Sequence, residues 1–306
     1  MPKTAFITGI TGQDGAYLAE FLLSKGYTVH GLLRWDAVDG TERLSEKNIL
    51  GKIHLHTGDM NDALNLIGLI KKIKPDEIYN LAALSHVKAS FETPASALTT
   101  NAGGLLNLLD AVRVLDFKDI KIYQASSSEM FGSSPAPQNE ETSFHPCSPY
   151  GVAKLAAYWL ARTYRDSYGL HVSNGILFNH ESPLRGEDFV TRKIAMAVTA
   201  LESGSRDVLT LGNLDSIRDW GHARDYVRGM WMMLQQDKPG DYVLATGRAH
   251  SVREFVERAF GLCGITLEWH GAGVDETGRD ARTGKILVRV DEQLFRPKEV
   301  NHLLGD

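Results

Sequence analysis

Thr4-Ala5-Phe6-Ile7-Thr8-Gly9-Ile10-Thr11-Gly12-Gln13-Asp14-Gly15 opens the chain with a short apolar run that enters a turn carrying three glycines. Tyr17, Leu18, Phe21 and Leu22 then recur at helical spacing until Gly26. Glycines in such a turn let the backbone approach a pyrophosphate, and the helix start adds N–H donors and a positive dipole end. A lone glycine trio says little, because turns need glycine for their own geometry. Placed between a strand and a helix, this one predicts a dinucleotide site.

Outward from that unit the alternation continues. Thr28 to Leu33, Leu55 to Gly58, Glu77 to Leu81 and Ile120 to Ala125 read as strands, and 62–73, 98–115 and 151–168 as helices. Strands alternating with helices predict a parallel sheet covered on both faces. The fold class is therefore α/β, a Rossmann-type doubly wound sheet, with a smaller C-terminal substrate-binding lobe. After about Leu177 the pattern is less regular: His180 to Gly186 reads as a loop, and Gly271 to Gly284 is rich in glycine and charge. The expected division is a dinucleotide-binding domain over 1–178 with a return segment at about 215–247. Residues 179–214 and 248–306 form the lobe.

At 306 residues the chain can bury a sizeable core. Its 33 basic and 38 acidic residues give a net charge of −5, no footprint for nucleic acid or an anionic membrane. Cys147 and Cys263 are too few for a disulfide framework, and no metal site is expected. The start runs straight into the first strand with no apolar signal region, and no apolar run nears the roughly 20 residues that span a bilayer. A cytoplasmic protein is expected.

Position 33, at the end of the second strand, is Leu33, where an acid would grip an adenosine ribose and favour NAD. Arg34 follows and suits a 2′-phosphate, which favours NADP. Asp36 opposes phosphate, and Arg43 restores positive charge if its loop folds back. NADP is expected, with NAD left open.

The chemistry is carried by Ser126-Ser127-Ser128-Glu129-Met130-Phe131-Gly132 and Tyr150-Gly151-Val152-Ala153-Lys154. Tyr150 and Lys154 fall one helical turn apart on one face. Lowering a tyrosine pKa from near 10 to about 7 takes roughly 4 kcal/mol, which a lysine ammonium and a positive nicotinamide can supply. Ser127 or Ser128 can orient a substrate oxygen. Glu129 adds what a plain dehydrogenase does not need: a base for a carbon acidified by a neighbouring carbonyl.

These motifs resemble the extended short-chain dehydrogenase/reductase superfamily and, within it, the GDP-mannose 4,6-dehydratases. The similarity runs from Thr4 to Asp306, most specifically in Asn174 to Arg185, Phe189 to Lys193, Arg218 to His222 and Phe295 to Val300. The resemblance implies a redox-neutral lyase. In it Tyr150 takes the sugar O4 proton while the C4 hydride goes to NADP, Glu129 takes the C5 proton as water leaves from C6, and the hydride returns to C6. Ser127, Glu129, Tyr150 and Lys154 would be catalytic. Gly9, Gly12, Gln13, Asp14, Gly15 and Arg34 would hold NADP, with Asp59, Met60, Tyr123, Tyr150, Lys154, His180 and Arg185. Ser85, Ser128, Asn179, Lys193, Gly212, Arg218, Arg296 and Glu299 would hold the nucleotide sugar. Arginine suits a diphosphate as a bidentate donor, and Glu299 can accept from the guanine N1 and N2 groups.

The chain departs from the family pattern at four places. Ser127 stands where threonine is usual, Trp35-Asp36 replaces arginine and serine, Leu84 replaces a polar residue, and Cys147 replaces an arginine. The loop at Trp35 would reach a neighbouring subunit in the family, so dimer and tetramer both stay open. Family members continue past Asp306 with one further helical segment. Competing expectations are a GDP-manno-heptose 4,6-dehydratase, a nucleotide-sugar reductase or epimerase, and a nucleotide-sensing protein without chemistry.

Overall fold

Seven parallel strands form the centre of the protein. The structure, a computed structural model, describes residues 2–35 and 40–306. The order along the chain begins β1 (Thr4–Thr8), α1 (Gln13–Ser24), β2 (Thr28–Leu33), α2 (Glu42–Glu46), β3 (His54–Thr57), α3 (Ala63–Ile73) and β4 (Glu77–Asn80). It continues with α4 (Val87–Glu92), α5 (Pro94–Leu98), α6 (Gly104–Val114), β5 (Lys121–Ser127), α7 (Pro149–Tyr168) and β6 (His171–Leu177). Next come β7 (Asn179–Glu181), α8 (Val190–Glu202), β8 (Leu209–Leu211), β9 (Ile217–His222), α9 (Ala223–Leu234) and β10 (Asp241–Leu244). Last are β11 (Ala249–Ser251), α10 (Val252–Leu262), β12 (Leu267–His270), β13 (Thr277–Asp280), β14 (Ile286–Val290) and β15 (His302–Leu303).

The large sheet has the order β10-β6-β5-β4-β1-β2-β3, and all its pairings are parallel. This is the doubly wound Rossmann arrangement expected from the alternation. Successive side chains of a strand point to opposite faces. Ala5 and Ile7 pack with Leu18 and Leu22 of α1 and Val227 and Met230 of α9. Phe6 packs on the other face with residues of α3 and α6, among them Leu66, Ile70 and Leu108, and with Ala157 and Ala161 of α7. Burial on both faces is why these strands read as continuous apolar runs.

A second core joins Ile194 and Val198 of α8, Val256 and Phe260 of α10, and Leu209, Leu211 and Val288 of a four-stranded sheet ordered β12-β13-β14-β8. A third sheet, β11-β9-β15 with β7 paired to β9, lies between. The stretch 215–247 is thus divided: β9 belongs to the small sheet, while α9 and β10 join the large one.

Two sequence expectations need correction. His180 and Glu181 are strand residues, because Asn179–Glu181 pairs with Trp220–His222, a partner too distant in sequence to be read locally. The helix expected over 98–115 is broken. Thr99–Gly103 widens into a π-turn between α5 and α6. There Asn101, 2% exposed, accepts from Leu84 N at 2.8 Å and donates to Leu84 O at 3.2 Å. Such bulges gather at functional sites, and this one holds the strand-end segment that carries Ser85.

The edge strand β10 is held by one carboxylate. Asp241 receives both Nη atoms of Arg165 at 3.0 Å, Asn174 Nδ2 at 2.8 Å and the Tyr158 hydroxyl at 3.1 Å. Burial pushes this carboxyl up, but the Arg165 and Asn174 hydrogen bonds and the Arg165 charge outweigh it and hold it below its ordinary value. A depressed folded-state pKa contributes stability above the unfolded-state value of about 3.9, lost as pH falls through the folded-state value. Asp241→Asn should therefore lower unfolding free energy by about 2–4 kcal/mol at neutral pH. In urea titrations the gap to the parent protein should narrow once the pH drops below about 4.

Candidate active site

The three glycines of the first turn have three separate jobs. Gly9 has φ +69°, and a Cβ there would lie 2.8 Å from Ala82 N. A Cβ on Gly15 would lie 2.4 Å from Gly9 O, so glycine lets α1 close onto the turn. A Cβ on Gly12 would meet only Gly9 O, at 3.3 Å, which leaves its outer side open. Gly12 also begins α1 with no side chain capping the first N–H groups. An open glycine beside uncapped donors fits a dinucleotide pyrophosphate.

Gln13 and Asp14 turn toward β7 and its following loop. Gln13 Nε2 donates to His180 O at 3.1 Å, and Gln13 Oε1 accepts from Ser182 Oγ at 2.7 Å. His180 places one ring nitrogen 2.7 Å from Asp14 Oδ2 and the other 2.8 Å from Phe178 O. With Asp14 ionised both neighbours are acceptors, and the ring then carries both protons. Burial opposes that charge, but the Asp14 carboxylate and hydrogen bond raise the histidine above its ordinary value. Burial likewise pushes Asp14 up, and the His180 charge holds it down. Tyr226 of α9 stacks on the imidazolium at 4.4 Å and 21°. Nothing local in the sequence marks Tyr226, which reaches His180 only through the fold.

Arg34 is exposed just beyond β2, and Asp36 lies outside the described residues. Arg43 does fold back, with Nε donating to Leu184 O at 2.8 Å and Nη1 to Thr11 O at 3.2 Å. Beyond β3, Asp59 caps a turn by accepting from Asn61 N at 2.8 Å. The Met60 carbonyl accepts from Asn107 Nδ2 at 2.9 Å. Arg185 pairs with Glu181 at 3.2 Å and covers the Phe189 ring at 3.6 Å.

Tyr123 does not belong with these residues. It is 0% exposed within the α1 and α9 core, and its hydroxyl is buried without a partner among the described residues. The hydroxyl lies 2.4 Å from where a Cβ on Gly175 would be, so the ring sits against β6 with no surface to offer a cofactor.

The reactive group forms where β5 ends against α7. Ser148 caps α7 by accepting from Gly151 N at 3.0 Å, with Pro149 in the first turn. A Cβ on Gly151 would lie 2.7 Å from Glu129 O. Glycine after the tyrosine therefore allows the Ser128–Met130 turn to rest on the helix. Ser127 Oγ accepts from Glu129 N at 3.2 Å, and the Ser127 side chain lies near enough to Tyr150 to pull its pKa down.

In the protein alone Tyr150 stands above its ordinary value. Burial pushes it up to about 12, Glu129 adds to the rise, and the Ser127 hydrogen bond opposes it. Lys154 Nζ is instead bonded to Ala125 O at 2.8 Å and stands 5.8 Å from the Tyr150 ring centre. Burial lowers Lys154 to about 8, against the Asp14 charge.

Glu129 is 8% exposed. Its Oε1 accepts from Arg296 Nη1 at 3.3 Å, while Oε2 is buried with no partner among the described residues. Arg218 is 6% exposed and donates to Ile217 O at 2.8 Å. Burial lowers its pKa, with Glu129 countering and Arg296 adding to the fall. Glu299 Oε1 accepts from Arg296 N at 3.1 Å. Ser128 is buried, Ser85 is exposed, and Asn179 and Lys193 are half-buried on β7 and α8. Gly212 admits Leu294 O, which a Cβ there would approach to 2.9 Å. Leu84 and Cys147 are both half-buried, the latter three residues before Tyr150.

Known proteins resemble this chain in fold and in sequence. Two solved structures share the fold. The UDP-N-acetylglucosamine 4-epimerase of Methanobrevibacter ruminantium matches with TM-score 0.80 at 23% identity, covering 100% of this chain and 89% of that one. The dTDP-glucose 4,6-dehydratase of Bacillus anthracis, solved with NAD, matches with TM-score 0.79 at 21% identity, covering 99% and 88%. Sequence relatives are far nearer. The GDP-mannose 4,6-dehydratase of Sinorhizobium fredii is 56% identical over 311 residues, covering 99% of this chain and 89% of that protein. The GDP-mannose 4,6 dehydratase of Homo sapiens is 51% identical over 312 residues, covering 99% and 84%. A family model described as GDP-mannose 4,6 dehydratase matches residues 6–306. With that match along nearly the whole length, the chain belongs to the GDP-mannose 4,6-dehydratase family.

Proposed function

We propose that this protein is a hydro-lyase that converts GDP-mannose to GDP-4-keto-6-deoxymannose with NADP as a recycled cofactor. The observation that carries the reading is Glu129: a buried carboxylate next to Tyr150, with one oxygen unpartnered among the described residues and arginines on its substrate side. Plain oxidation or reduction has no use for that base.

Tyr150 takes the proton from the sugar O4 as C4 is oxidised. When bound, the oxidised nicotinamide would supply the hydride acceptor for C4 and the donor for C6, and its positive charge would favour the phenolate. Bringing the phenol from about 12 to near 7 requires roughly 7 kcal/mol of differential stabilisation. Part of it comes from Lys154 once its ammonium swings from Ala125 O toward the phenol. Ser127 Oγ holds the Tyr150 oxygen and the reacting O4 in line. The C4 ketone acidifies C5–H, and Glu129 Oε2 removes that proton and delivers it to the departing C6 hydroxyl, which leaves as water. Hydride at C6 and a proton at C5, equivalent to the one Tyr150 took from O4, complete the product and leave Tyr150 deprotonated again.

Gly9, Gly12, Gln13, Asp14, Gly15, Arg34, Asp59, Met60, His180 and Arg185 are the residues for the cofactor. Arg218 and Arg296 serve the diphosphate and Glu299 the guanine, with Ser85, Ser128, Asn179, Lys193 and Gly212 around the sugar nucleotide. Residues 1–178 with α9 and β10 form the cofactor part, and 179–214 with 248–306 the substrate lobe. No helix among the described residues is long and apolar enough to cross a membrane, and two free thiols suit a reducing cytoplasm. Leu98, Leu106, Val152 and Trp159 are exposed on the packed helices α5, α6 and α7, which supports a homo-oligomer built on that face.

Protein incubated with GDP-mannose and trace NADP should yield the 4-keto product with loss of the C6 hydroxyl, followed by mass spectrometry. No turnover by folded, cofactor-loaded protein would remove this reading, and faster use of a GDP-manno-heptose would replace the hexose. Glu129→Gln should cut dehydration about 10²–10⁴-fold with NADP affinity unchanged; normal dehydration would place the base elsewhere. Ser127→Ala should cost about 10²-fold in kcat, whereas Ser127→Thr should hold or raise it, since the added methyl restricts the rotamer. Trp159→Glu should shift the sedimentation coefficient toward a monomer; an unchanged oligomer would move the interface to another face.

A further inference from the structure

Arg43 has no part in the chemistry above, yet its side chain is drawn to the glycine turn. Leu44, 0% exposed, seats α2 in the core that covers α1, and Lys47 pairs with Glu20 of α1 at 3.1 Å. From this anchored helix Arg43 donates to Leu184 O and Thr11 O at 2.8 and 3.2 Å. Among the described residues only two of its five N–H groups are used, and both partners are neutral carbonyls. Among the described residues no carboxylate pairs with it. A half-buried guanidinium fixed by carbonyls leaves, among the described residues, three donors for an anion.

The place of that charge says which anion. Thr8 pairs with Leu32, so Leu33 and Arg34 run on beside Gly9 and Ile10 at the same edge of the sheet. In folds of this order the adenosine ribose lies at the end of the second strand, where an acid meets a 2′-hydroxyl or an arginine meets a 2′-phosphate. Leu33 offers no acid, and the neighbouring Trp35 is 81% exposed and uncharged. We infer that Arg43 is a determinant of cofactor choice, its guanidinium joining Arg34 to receive the 2′-phosphate of NADP. This deepens the NADP reading and rests on it. Because Arg43 also bridges Thr11 to Leu184, a bound phosphate would stiffen the turn and the segment leading to Arg185 together.

The test is calorimetric binding of 2′,5′-ADP and 5′-AMP, which differ by that phosphate alone, to the full chain freed of nucleotide. The parent should prefer 2′,5′-ADP. Arg43→Met should weaken 2′,5′-ADP by about 10- to 100-fold and 5′-AMP by less than about 3-fold. Arg43→Gln, which can still bond one carbonyl, guards against a folding defect and should show the same selective loss. Equal losses for both probes would make Arg43 a structural tie and overturn the inference while leaving NADP use intact. A parent that prefers 5′-AMP would overturn the inference and the NADP reading together.

Discussion

The close seating of the Ser128–Met130 turn on α7 is the contact on which the site depends. A side chain at Gly151 would lie 2.7 Å from Glu129 O, so anything larger than glycine would push β5's end away from the helix. With glycine there, Ser127, Glu129 and Tyr150 meet in one small volume although they come from a strand end, a turn and a helix. The parallel sheet makes this possible by aligning the strand ends at one edge, where ligands bind in doubly wound folds.

Burial displaces both Tyr150 and Lys154 from their ordinary values. Burial raises Tyr150 to about 12 and lowers Lys154 to about 8, so near pH 7 the phenol keeps its proton while the lysine is still mostly an ammonium. The Asp14–His180 pair is the opposite case. His180 is buried and Asp14 half-buried, and each shifts the other toward its charged form. That pair also ties the first helix to β7. A buried ion pair adds little net stability over apolar packing, and its value here lies in fixing relative position.

Asn101 and Tyr226 show what could not be read in advance. Asn101 sits in an apolar helical run, where a polar residue reads as a neutral surface position. Its role arises only because Leu84 arrives from another element with both backbone groups unpaired. Tyr226 reads as an ordinary core aromatic until α9 returns to cover α1 and lays it on His180. Tyr123 is the reverse, assigned to the cofactor on resemblance yet sealed inside the core.

The sequence by itself determined the alternation of strands and helices, the glycine turn, and the identity of Tyr150, Lys154, Glu129 and Ser127, because each rests on residue type and short-range spacing. Tertiary structure alone decided that Glu129 keeps one oxygen unpartnered among the described residues, that Lys154 is turned onto a backbone carbonyl, and that Arg43 reaches back to Thr11. Those outcomes depend on distances between segments far apart in the chain and on how deeply packing removes them from water. Desolvation and cross-element hydrogen bonds are properties of the assembled fold, and no local pattern encodes them.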